Sequence, residues 1–135
     1  KEKNKYHMHK YLIINIIKVF SILLIISLII ILFSKNILLI FYGSDISNYS
    51  FLLSYLVLIF PLIGLQYFPQ YGLRSLSKTF PIFLSYLVSS LFTILTSRYF
   101  INEFGLNGFI SGMYLSTLII LLVTYISFYY HLKKF

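Results

Sequence analysis

The placement of charge constrains this chain more than any other feature. Charged side chains stand at positions 1, 2, 3, 5, 10, 18, 35, 45, 74, 78, 98, 103, 133 and 134, and long apolar runs lie between them. Residues 19–34 make a run of 16, which becomes 24 when counted from Tyr11 with Lys18 tolerated. Residues 46–73 make 28, residues 79–97 make 19 and residues 104–132 make 29. An α-helix needs about 20 residues to cross about 30 Å of hydrocarbon. Only 10% of the residues are charged, against roughly 25% in a soluble domain, too few to cover a water-facing surface. The solvent for most of the chain is therefore lipid.

The runs predict an all-α, polytopic membrane protein with four transmembrane helices near residues 11–33, 49–68, 80–100 and 109–130, preceded by a basic tail at residues 1–10. Each span is apolar nearly all round, as in a lipid-embedded bundle. The period-two alternation of a membrane barrel is missing. Connections are expected where turn-forming residues cluster: Gly43-Ser44-Asp45, then Pro69 and Gly72, then residues 102–108 with Gly105 and Gly108. The apolar stretch 37–42, too short to cross, reads either as an extension of the first helix or as a segment lying at the interface.

Orientation follows from the basic residues. Four spans put Lys1, Lys3, Lys5, Lys10, Arg74, Lys78, Lys133 and Lys134 on one side, with Lys35 and Arg98 on the other. Eight against two places both termini in the cytoplasm. Phe41-Tyr42, Tyr67-Phe68, Tyr99-Phe100 and Tyr129-Tyr130 stand where lipid headgroups should be. The first span is longer than the apolar core of a secretory signal, and no small-residue cleavage site follows it. The net charge of +8 accordingly reads as orientation and attraction to anionic lipid, not as nucleic-acid binding.

Catalysis finds little support. Glu2, Asp45 and Glu103 are the only carboxylates and lie in tails or connections, the histidines lie at the chain ends, and cysteine is absent. A general acid and base would have to be assembled from opposite faces of the membrane. No enzyme activity, cofactor or metal is expected; His7-Met8-His9 reads as part of a solvated tail.

The residues that remain of interest sit inside the spans. Lys18 is the one formal charge well inside a span, since Arg98 stands two residues from the end of the third. It either snorkels its ammonium to the interface or faces a ligand or aqueous cavity. Ser85, Ser89, Thr93 and Ser97 recur every four residues, which makes a stripe suited to packing or to a cavity wall. Gly108 and Gly112 form a GxxxG pair that favours close packing of the third and fourth helices. Pro61, with Gly64 and Gln66 after it, predicts a bend in the second helix, either structural or a hinge.

Three segments in order, Asn36-Ile-Leu-Leu-Ile-Phe-Tyr-Gly43, Gly72-Leu-Arg-Ser-Leu-Ser-Lys-Thr79 and Phe104-Gly-Leu-Asn-Gly-Phe-Ile-Ser-Gly112, resemble the C-terminal domain of polysaccharide and oligosaccharide flippases. These belong to the multidrug/oligosaccharidyl-lipid/polysaccharide exporter superfamily. The resemblance covers residue 10 to the end. It implies a two-lobe transporter of about twelve or more helices that moves undecaprenyl-linked oligosaccharide across the cytoplasmic membrane by alternating access. This chain would supply the last four helices, and its partner would be the missing N-terminal lobe. By the same resemblance, cationic side chains facing the cavity hold lipid pyrophosphate or acidic sugar, with Lys18 as first candidate, then Arg98 and Arg74. The other readings are a small four-helix membrane transporter and a non-transporting membrane assembly subunit. A proton-coupled multidrug exporter would need an intramembrane carboxylate, which the spans lack.

Overall fold

A computed structural model describes the backbone of residues 2–134 and the side chains of residue 11 and residues 13–133; the expectation for the His7 and His9 side chains lies outside that description. The described residues are helical with no strand. They form α1 (Glu2–Tyr42), α2 (Ser44–Ser47), α3 (Ser50–Val57), α4 (Ile59–Ser75) and α5 (Phe80–Lys134). Three stretches are long and apolar enough to cross a membrane: Ile13–Tyr42, Ser50–Ser75 and Phe80–Lys133.

The first connection is shorter than the sequence predicts. α1 runs unbroken through residues 34–42, so the apolar stretch 37–42 extends the helix and is no separate interfacial segment. Lys35 does not stop a helix; the backbone turns only at Gly43, whose φ of 84° favours glycine. The second connection also shifts. Pro69 and Gly72, expected in a loop, lie buried inside α4, and the turn falls at residues 76–79. There Ser77 adopts φ 57°. Its N–H bonds the Arg74 carbonyl at 2.9 Å and the Lys78 N–H bonds the Leu73 carbonyl at 2.8 Å, the paired bonds of a Schellman cap.

α5 holds 55 residues but is not straight, because Gly105 leaves helical geometry at φ 55°, ψ −131°. In a straight helix Ser89 and Ser116 would stand about 40 Å apart at 1.5 Å per residue. Instead the Ser89 hydroxyl donates to the Ser116 carbonyl at 3.1 Å. Residues 80–104 and 106–134 are therefore antiparallel limbs folded about one glycine. The seven-residue connection expected at 102–108 contracts to that one residue.

α1 runs antiparallel to α3 and α4: Ser34 meets Ser54, Ser27 meets Val57, and Leu23 and Val19 meet Gly64. α4 lies in the middle, contacting α1 and both limbs of α5. It carries Pro61, Gly64, Gln66, Pro69, Gln70 and Gly72, all buried, while large apolar side chains such as Ile22, Ile29, Leu95 and Ile126 point outward. This is the inside-out logic of lipid, where tails are as apolar as leucine and association relies on small and hydrogen-bonding residues. A small apolar cluster of Leu73, Ile82 and Phe128 closes one end.

Candidate functional site

The site residues expected from sequence fall into two groups, those facing outward and those inside the bundle. Lys18 is exposed on α1. It stands nine residues, or two and a half turns, before Ser27, which is buried against α3, so Lys18 is carried on the opposite face of the helix. Arg98 is likewise exposed and nine residues beyond the buried Ser89. Arg74 is exposed in the last turn of α4, with its guanidinium 5.7 Å from the centre of the Tyr71 ring. These three cations do not converge on one point in the bundle.

Pro61 lies in the first turn of α4, just past the interruption at Leu58 that separates α3 from α4. Proline has no N–H to offer the carbonyl four residues earlier and its ring crowds that carbonyl. That oxygen belongs to Val57, and the buried Ser27 hydroxyl of α1 donates to it at 3.2 Å. Tyr114 reaches α3 from the second limb of α5 and donates to the Tyr55 carbonyl at 2.7 Å. Side chains from two elements thus fasten the backbone on the α3 side of the break. Ser27 and Tyr114 escaped the sequence reading; the available signal was the need of a membrane proline for a substitute donor.

Gly64 admits α1 so closely that a β-carbon there would stand 2.5 Å from a Leu23 methyl. Gly108 lies directly against the Phe100 carbonyl across the Gly105 fold, whereas a β-carbon at Gly112 would meet nothing within 4 Å. Only half of the GxxxG pair is therefore a packing contact.

The serine stripe divides in the same way. Ser85 and Ser89 are buried, Thr93 is exposed and Ser97 half-buried. A spacing of four advances about 40° beyond a full turn each time, so the stripe drifts off the interface. The packed face follows a mixed spacing of three and four through Ile82, Ser85 and Ser89. Gln66 and Gln70 complete the polar interior: Gln66 Nε2 donates to the Thr117 carbonyl at 2.8 Å, and Gln70 Nε2 to the Tyr86 hydroxyl at 3.2 Å. Both amides and the Ser89 hydroxyl join separate helices or limbs, whereas the Ser85 hydroxyl donates to the Ile82 carbonyl of its own helix.

Among the described residues, two of the grooves on the surface stand out. The first, about 400 Å³, is lined by Ile13 and Ile16 of α1, Leu65 and Phe68 of α4, and Leu122, Tyr125 and Ile126 among others of the second limb. The second, about 800 Å³, lies between α3 and the second limb; Phe51, Tyr55, Asn107, Ser111 and Tyr114 are among its walls. The first is hydrocarbon almost throughout, and the second mixes aromatic faces with an amide and hydroxyls. Comparison with known proteins adds nothing to this geometry: no family model, curated protein or solved structure matches the chain.

Proposed function

We propose that this chain is part of a membrane transporter or flippase that translocates lipid-linked oligosaccharide across the cytoplasmic membrane. In this reading the three apolar stretches cross the bilayer four times, because the two limbs of α5 each cross once. Both chain ends then lie in the cytoplasm, and the four crossings form the last part of a larger two-lobe bundle.

One observation carries the reading. Lys18 lies within the apolar stretch Ile13–Tyr42, exposed on a face of α1 that no other element covers among the described residues. A charge inside a membrane is costly and by default faces a cavity or a partner. A second lobe placed against that face turns Lys18 toward the space between lobes, where an anionic glycolipid headgroup passes. The second groove, with its amide and hydroxyls, lies at the bundle end opposite the chain termini and suits a sugar leaving the cavity. Pro61 and the break at Leu58 supply a flexing point of the kind transporters use.

The test is Lys18→Ala in the complete protein, with surface polysaccharide measured against membrane-inserted protein. The expected result is impaired export at normal expression. Normal export would remove Lys18 from the site.

A non-transporting assembly subunit is the second reading. It is favoured by Gln66, Gln70, Ser85 and Ser89, whose buried polar groups bond within the bundle instead of lining a passage. Normal export by the Lys18 variant together with export lost when Gln66 and Ser89 are replaced would support it.

A further inference from the structure

We propose that the apolar groove between α1, α4 and the second limb of α5 is a binding site for one anionic phospholipid, with an acyl chain in the groove and the headgroup at Lys133. The groove holds about 400 Å³. A helix with its side chains is 10–12 Å across, too thick for that space, whereas an alkyl chain lies along it. The walls are apolar apart from Tyr125, too little polarity to hold a sugar or nucleotide, so the part that enters is a lipid tail.

The headgroup position follows from helical register. Leu122, Ile126, Tyr129 and Lys133 are spaced by four, three and four, so they share one face of the second limb. Lys133 lies seven residues past Ile126, about 10 Å further toward the chain terminus. The Lys133 ammonium stands 4.7 Å from the centre of the Tyr129 ring, a cation–π contact that keeps it on this face. Arg74 also lies at this end of the bundle, so the surroundings of the headgroup are positive. A chain in the groove with its phosphate at Lys133 therefore satisfies both the apolar walls and the charge. The site is separate from Lys18, so the proposal does not depend on the transport reading.

The test uses the full chain in nanodiscs containing equal amounts of phosphatidylglycerol and phosphatidylcholine with identical acyl chains, and native mass spectrometry counts the lipid retained after release. One retained phosphatidylglycerol is expected. Lys133→Gln should weaken the preference about fivefold, the equilibrium factor for one basic residue at an anionic surface, while Lys78→Gln, off this face, leaves it unchanged. Leu122→Trp and Ile126→Trp, two outward positions where added bulk fills the groove without entering the bundle, should each abolish retention. Equal effects of the two lysine substitutions would overturn the proposal in favour of diffuse attraction. Retention by both tryptophan variants would overturn the groove. Displacement of the lipid by an equimolar isoprenyl phosphate, but not by added phosphatidylglycerol, would overturn the phospholipid assignment.

Discussion

At the scale of single residues, three backbone positions show where side-chain size and handedness decide the outcome. Ser77 occupies the left-handed position of the cap that ends α4, a conformation costing an L-residue roughly 1–2 kcal/mol. Ser77→Gly is expected to stabilise the fold by about 1 kcal/mol, read from the shift in an SDS-unfolding titration of the reconstituted chain. Gly72 and Gly112 form a contrasting pair. A methyl at Gly72 would drive into the Phe128 ring, while at Gly112 it would meet open space. Gly72→Ala should cost about 1–3 kcal/mol by overpacking and Gly112→Ala should be neutral or slightly stabilising in the same titration. Equal costs would refute the packing assigned to Gly72. The sequence pointed to Gly112 and treated Gly72 as a loop residue, because the facing Phe128 is 56 positions away and only folding brings it there.

At the scale of elements, the interruption between α3 and α4 is the most informative feature. The sequence announced a bend through Pro61, but not how the Val57 carbonyl would be satisfied. Ser27 does so from another helix, and hydrogen bonds between membrane helices contribute about 0.6 kcal/mol on average, up to about 1.7. Ser27→Ala should therefore destabilise the chain by roughly that amount. Pro61→Leu restores an N–H near the Val57 carbonyl, so Ser27→Ala should cost less in that background; a double-mutant cycle measures the coupling. Strict additivity would mean that the serine does not substitute for the missing donor. The α5 hairpin teaches a similar lesson. Asn102, Asn107 and Gly108 read as loop residues, yet they remain helical because one glycine makes the whole reversal.

At the scale of the whole molecule, α4, the least apolar of the longer helices, lies in the middle and the most apolar surfaces face out, as a lipid solvent demands. The antiparallel order brings the start of the apolar part of α1 and the end of α5 to the same end of the bundle, where both border one groove. Arg74, Lys78 and Lys133 share that end, while Lys35 and Arg98 lie at the other. If each limb crosses, engineered cysteines near Asp45 and near Lys134 should react with a membrane-impermeant maleimide from opposite sides; the chain has no native cysteine to confuse the readout. Labelling of both from one side would refute the fourfold threading.

The sequence alone determined the solvent and the secondary structure, since uncharged runs of about 20 residues can satisfy their backbone in lipid only as helices or closed barrels, and the alternation of barrel strands is missing. It also determined how basic residues divide among the connections. Tertiary structure alone decided where the helices end, which half of each small-residue stripe is buried and which hydroxyl replaces a proline's lost hydrogen bond. The physical reason is that in lipid a polar or small residue is energetically satisfied by any correctly placed neighbour, and the neighbours of Gly64, Ser27 and Gly72 lie 30 to 56 positions away.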